Sequence, residues 1–178
     1  MVGDDTRGFP SSSCLLGLSD SAREAFRAVL REETAQAGTT LLKEGASNDR
    51  LGFLAEGTVR LTRSYPGRPD EEVVRLEAPA TFGETSFFRD KPSLVTARAQ
   101  TPVRFFALDR HAYEGLRRSD PAAAEALARA MLCLLAERFD LLDLRVSEFL
   151  AENGSGEKTR KASDWSAFRT RLFREGGP

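Results

Sequence analysis

The chain has little of what most protein chemistry needs. A single histidine, His111, leaves too few ligands for a histidine-based metal site, and no partnered nucleophile for a His-dependent hydrolase. It follows Asp109-Arg110 at a helix start, where an exposed structural role is expected. The two cysteines, Cys14 and Cys133, are far apart and fall in different predicted elements, so they form no disulfide framework. Cys133 stands in an apolar helical run and is expected to be a buried free thiol. The formal net charge is −1, which offers no global field for DNA, RNA or an anionic membrane. No apolar run approaches the roughly 18 residues of a membrane span. Met1 to Ser13 is polar and lacks the apolar centre of a signal peptide, so a cytoplasmic location is expected. No cofactor is implied, and catalysis is not expected.

What the sequence does contain is an ordinary mix for a globular chain, 40% hydrophobic and 30% charged over 178 residues. Residues 1–17 read as an irregular lead-in. Ser19-Asp20 supplies an N-cap before Ala22, Ala25, Phe26, Val29 and Leu30, whose spacing predicts an amphipathic helix ended by Gly38. The pair Glu32-Glu33 then lies on its solvated side. From Thr39 to Leu108 the texture changes to short β-rich runs broken by Gly, Pro, Asn and Asp. The predicted strands are Thr39–Lys43, Leu51–Ala55, Thr58–Ser64, Glu72–Leu76, Thr81–Phe82, Leu94–Gln100 and Val103–Leu108. Short strands at this spacing predict an antiparallel barrel or roll and not a βαβ sheet. The roll holds no histidine, which argues against a cupin-type metal enzyme.

Beyond Leu108 the pattern is helical. Asp109 caps a short helix carrying Tyr113 and Leu116, and Asp120-Pro121 opens a long one with Pro at its first position. Ala122 to Glu152 contains no Gly or Pro, and Asn153-Gly154 ends the run. Leu132, Leu135, Phe139, Leu142, Val146 and Phe149 alternate at three- and four-residue spacings, a heptad seam widened by Met131, Leu134 and Leu141. A helix of about thirty residues spans roughly 45 Å. That exceeds what one small roll covers, so part of the seam is expected to meet a second copy. In residues 153–178, a linker leads to Trp165, Phe168 and Leu172 among Arg169, Arg171 and Arg174, a short amphipathic basic segment suited to docking.

The run Phe82-Gly83-Glu84-Thr85-Ser86-Phe87-Phe88, followed by Lys91-Pro92-Ser93-Leu94-Val95-Thr96-Ala97-Arg98-Ala99, resembles the phosphate-binding cassette of cyclic-nucleotide-binding domains of the Crp/Fnr type. Gly38, Leu41 and Gly45 upstream, and Leu54 to Leu61 with Gly57, match that family's turn and hairpin. The resemblance covers about Leu18 to Leu150. It implies an α+β fold: an antiparallel β-roll (a jelly-roll-like double-stranded β-helix) with an N-terminal helix and a long C-terminal helix, over residues 18–152. It also implies a ligand site at Phe82, Gly83, Glu84, Thr85, Ser93, Leu94 and Thr96. In the family, backbone N–H groups receive the cyclic phosphate, the Glu accepts the ribose 2′-hydroxyl, and an Arg after Pro pairs with a phosphate oxygen.

Here that arginine position is Ser93. Losing a charged hydrogen bond to phosphate costs about 1.5–3 kcal/mol, or roughly tenfold to a few hundredfold in affinity. Leu94 and Val95 replace the small residues that usually follow. Arg89, Lys91 and Arg98 are nearby cations that offer replacement charge, but none stands at the family's position. If the cassette is kept only as a turn, Gly83 serves its geometry and Glu84 caps the helix Thr85–Phe88. The expected function is therefore a non-enzymatic regulatory protein, a homodimer that docks a protein partner, with nucleotide binding lost or altered. The alternative is a working cyclic-nucleotide receptor that moves its C-terminal helix. Crp/Fnr regulators continue into a winged helix-turn-helix, for which Asn153–Pro178 is too short, so direct nucleic-acid binding is not expected.

Overall fold

Ser19 opens the first helix for the reason its side chain suggests: Ser19 Oγ accepts the Ala22 N–H at 3.2 Å. The computed structural model describes residues 19–152, with only the helical backbone given at 149–152. Contacts group the chain into two compact units, Met1–Met131 and Leu132–Pro178. In the first, helix α1 (Asp20–Val29) buries Ala22 and Phe26, and the Phe26 ring meets Phe53 edge-on at 5.3 Å.

Helix α1 ends at Val29, well short of Gly38, and Arg31–Ala35 forms strand β1. The helical reading of this stretch is thus corrected. Residues 31–35 lie along β8 (Val103–Asp109) in antiparallel register, from Arg31↔Ala107 to Ala35↔Val103. An otherwise unpaired edge of β8 supplies hydrogen-bond partners that outweigh a weak local helix preference. Nor is the Glu pair merely solvated: Glu33 accepts two bonds from Arg50 Nη1 at 3.1 Å, and Glu32 lies 3.5 Å from Arg104.

The remaining strands fall where turn residues bound them: β2 Thr40–Leu42, β3 Arg50–Glu56, β4 Thr58–Arg63, β5 Glu71–Glu77, β6 Ala80–Phe82 and β7 Thr96–Ala99. They form two four-stranded sheets ordered β1-β8-β3-β6 and β2-β7-β4-β5, antiparallel throughout. This interleaved order is that of a jelly-roll-like β-roll. Its inner faces meet in one apolar cluster, with Leu54, Phe82, Phe105 and Ala107 from the first sheet and Leu42, Val59, Ala97 and Ala99 from the second. At about 25 cal/mol per Å² of apolar surface removed from water, such a cluster is the main stabilising contribution of the roll. Gly52 on β3 makes room for it, because the Phe82 ring lies where a side chain at 52 would project.

Three helices complete the described chain: α2 (Glu84–Arg89), α3 (Arg110–Ser119) and α4 (Pro121–Glu152). Asp109 Oδ1 caps α3 through the Ala112 N–H at 2.7 Å, and Asp120 Oδ1 accepts the Ala123 N–H at 3.0 Å where Pro121 opens α4. His111 is exposed on the first turn of α3. Up to Met131, α4 buries Ala123, Ala124, Leu127, Ala130 and Met131.

The second unit begins with the rest of α4. Its Leu132 (68% exposed), Phe139 (40%) and Leu142 (55%) show apolar surface to solvent, with Leu141 and Leu144 beside them. Leu135 and Val146 are half-buried, and the Phe149 side chain lies outside the described residues. Cys133 is exposed, which corrects the expectation of a buried thiol. An apolar run buries a residue only where a second surface covers it, and Leu132, Cys133, Leu141, Leu142 and Leu144 are exposed. Cys14, the lead-in 1–17 and the segment with Trp165, Phe168 and Leu172 lie outside the described residues.

Candidate functional site

Between β6 and β7 the chain must reverse direction and lay a short helix against the roll. Gly83 makes the turn, with φ +84°, in the left-handed region that side chains disfavour. A Cβ there would meet the Arg50 carbonyl oxygen at 2.7 Å and Asn48 Nδ2 at 3.0 Å. Gly83 itself occupies the cap position of α2, without a side-chain cap bond, and Glu84 is the first helical residue. Glu84 therefore does not cap the helix from outside, as the turn-only reading expects. Its buried carboxylate accepts from Thr85 Oγ1 at 3.2 Å.

The far side of the cassette is closed by backbone pairing. Ser93 N–H donates to the Ala46 carbonyl at 2.9 Å, and Gly45 N–H donates to the Ser93 carbonyl at 2.8 Å. Ser93 is only 4% exposed, and its hydroxyl donates to the Val95 carbonyl at 2.7 Å. That local bond turns residues 93–95, so β7 starts at Thr96 and not at Leu94. Thr96 Oγ1 accepts the Glu44 N–H at 3.1 Å, and Leu94 is 50% exposed.

One turn, Glu44–Asn48, thus touches both sides of the cassette. Asn48 is buried, with its Nδ2 at 2.8 Å from the Arg50 carbonyl, 2.9 Å from Ser86 Oγ and 3.2 Å from the Gly83 carbonyl. Its Oδ1 accepts the Arg50 N–H at 3.0 Å. At the other end of α2, Arg110 Nη2 donates to the Phe87 carbonyl at 2.6 Å and pairs with Asp90 at 3.3 Å. The Phe87, Phe88 and Tyr113 rings pack edge-on at 5.1–5.7 Å between α2 and α3. Burial in this group pushes the Tyr113 phenol above its ordinary pKa, against the pull of nearby Arg117.

The structure therefore brings Phe82, Gly83, Glu84 and Thr85 into one turn, and ties Ser93 and Thr96 to it through residues 44–48. Phe82 belongs to the core, its ring 5.6 Å from Phe105. All three nearby cations, Arg89, Lys91 and Arg98, are exposed. Arg98 alternates with buried Ala97 and Ala99, so it points to the outer face of its sheet, level with Arg60. A cleft of about 190 Å³ lined by Leu42, Gly52, Phe82 and Phe105 opens beside the Glu33–Arg50 pair, and Gly83, Glu84 and Ser93 do not line it. Among the described residues no acidic, Cys or His cluster is arranged to hold a metal. Sequence reasoning missed Asn48 and Arg110. An Asn in Ser-Asn-Asp reads as an ordinary turn former, and an Arg after a capping Asp reads as surface.

Comparison with known proteins decides the family. The model of the cyclic nucleotide-binding domain matches residues 32–120, half of the chain. The chain belongs to the cyclic nucleotide-binding domain family. Among curated members it is 32% identical over 117 residues to a CRP-like cAMP-activated global transcriptional regulator of Mycobacterium tuberculosis, covering 65% of this chain and 51% of that protein. It is 30% identical over 103 residues to a cyclic nucleotide-gated potassium channel of Mesorhizobium japonicum, covering 58% and 27% respectively. The chain thus spans about half the length of the first of these relatives and less of the second. Among solved cyclic nucleotide-binding-type folds, a domain from Methylobacillus flagellatus superposes with a TM-score of 0.69 at 23% identity, over 78% of this chain and 76% of that one. The N-terminal domain of a Streptomyces coelicolor transcriptional regulator superposes with a TM-score of 0.64 at 29% identity, over 75% and 93%. The chain has a Crp-like roll, and no helix among its described residues is long and apolar enough to cross a membrane.

Proposed function

We propose that this domain is a cytoplasmic, non-enzymatic regulatory module that works as a homodimer and docks a protein partner, with cyclic-nucleotide binding lost or altered. The observation that carries this reading is Ser93. The family's cassette places a guanidinium there, and a serine side chain cannot span to a phosphate oxygen with paired, charged donors. Its hydroxyl is already engaged with the Val95 carbonyl in a buried turn. Arg98 is directed to the outer face and Leu94 is exposed beside Ser93, so neither residue 93 nor its neighbour 94 offers a cyclic phosphate a charge. The exposed apolar face of α4 at Leu132, Phe139 and Leu142 supports assembly with a second copy.

A second reading has its own support. Gly83 and Glu84 keep the family's turn and the carboxylate that accepts a ribose hydroxyl, so a receptor of weaker phosphate dependence is chemically reasonable. Titration calorimetry of the native chain and of Ser93→Arg against cAMP and cGMP separates the two. Under the first reading the native chain gives no heat at micromolar ligand, and Ser93→Arg gains roughly tenfold to a few hundredfold in affinity. Micromolar binding by the native chain overturns it in favour of the second.

A further inference from the structure

The cassette helix is gripped at both ends by side chains that flank two neighbouring strands of one sheet. Asn48 precedes β3 and Arg110 follows β8, and these strands pair antiparallel with Arg50 opposite Asp109. The segments that carry them are also joined, because the Arg110 N–H donates at 2.9 Å to the carbonyl of Asp49, the residue after Asn48. From this base Asn48 reaches the start of α2. Its amide serves the Arg50 carbonyl and Ser86 Oγ, while the Ser86 hydroxyl donates to the Gly83 carbonyl at 3.2 Å. Arg110 reaches the end of α2, bonding the Phe87 carbonyl, pairing with Asp90 and lying 5.1 Å over the Phe87 ring.

We infer that Asn48 and Arg110 form a two-ended clasp that fixes the cassette in place before any ligand arrives. A helix of six residues has too few internal bonds to hold itself. What holds this one is a buried amide spanning 38 residues of sequence and a guanidinium spanning 23. Both anchors rise from the β3–β8 ladder, so α2 and the first turn of α3 shift only together with that ladder. Gly83 and Glu84 are thereby set in position by protein groups alone. Asn48 and Arg110 are positioning residues, and their role does not depend on whether a nucleotide binds.

Amide hydrogen exchange on the full chain, without ligand, tests the clasp separately from the proposed function. In the native chain the Phe87 and Lys91 amides, bonded to the Gly83 and Ser86 carbonyls, should exchange within about tenfold of the β3 and β8 amides. Exchange at the rate of an open loop overturns the inference, and this measurement needs no variant. Asn48→Ala and Arg110→Ala should each speed exchange in α2 by about tenfold or more while the β3 and β8 amides change less than about twofold. Arg110→Lys, which keeps the charge and one donor, should recover part of the loss. An equal change in α2, β3 and β8 marks mere global destabilisation and refutes the clasp, as does no change in α2.

Discussion

Replacing Gly52 by alanine tests the packing that seats the cassette. In an unobstructed strand, Gly→Ala stabilises by about 0.5–1 kcal/mol, because alanine has less chain entropy to lose. Here the opposite sign is expected. Gly52 stands opposite Phe82 on β6 and Ala107 on β8, and a Cβ at 52 would fall inside the van der Waals envelope of three Phe82 ring carbons. The ring is buried and backed by Phe105 at 5.6 Å, so it must move by roughly 1 Å against packed neighbours. Overpacking of this kind costs about 1–3 kcal/mol. At roughly 2–4 °C per kcal/mol for a chain of this size, Tm should fall by about 2–12 °C. Phe82→Leu removes the obstructing ring at a cost of its own, about 1–2 kcal/mol. In that background Gly52→Ala should cost almost nothing, giving a coupling of about 1–3 kcal/mol in a denaturant double-mutant cycle. An additive cycle, or a Gly52→Ala chain as stable as the native one, refutes the placement of Phe82 over β3.

Two further perturbations follow from the same geometry. Because burial raises the Tyr113 pKa, the folded state holds the phenol proton more tightly than the unfolded state. The associated stability is present below the ordinary value near 10 and is lost as pH rises through the higher folded value. Phenolate absorbance in a Tyr65→Phe background should therefore show Tyr113 titrating late, and Tyr113→Phe should remove that alkaline loss. On the exposed face of α4, Leu142→Asp should raise the dimer dissociation constant by about a hundredfold or more in sedimentation equilibrium, since each copy would bury an unpaired carboxylate. A native chain that sediments as a monomer at every concentration removes the dimer from the proposal.

Much of the roll was legible because its strands carry their own boundaries. Alternating residues in Thr58–Leu61 and the punctuators at Gly45, Gly57 and Gly67 placed strands close to where they lie. The side-chain caps Asp109 and Asp120 did the same for α3 and α4. Strand β1 was not legible, because Arg-Glu-Glu-Thr-Ala has no buried face of its own and becomes a strand only when the edge of β8 receives it. Exposure of Cys133 was equally hidden, since periodicity shows which residues share a stripe but not whether anything covers it. Asn48 and Arg110 escaped for a third reason: their partners lie 38 and 23 residues away, and nothing local marks such a bond.

Within the cassette, the residues that look most diagnostic are not the ones that bear on the ligand. Gly83 is required by the fold itself, through its φ of +84° and the Arg50 carbonyl 2.7 Å from where a side chain would begin. A roll that had abandoned nucleotides would still need it. Ser93 is different. Its main structural duties are the N–H and C=O bonds to residues 45 and 46, which any non-proline residue makes equally well. Two hydroxyl bonds depend on the side chain, both to Val95, whose carbonyl accepts at 2.7 Å and whose N–H donates back at 3.4 Å; together they are worth about 1–2 kcal/mol. The backbone pairing that closes the cassette therefore does not depend on the identity of residue 93, although at 4% exposure a longer side chain there has to extend out of the turn. That is why the proposed loss of nucleotide binding rests on residue 93, while the glycine at 83 speaks only about the turn.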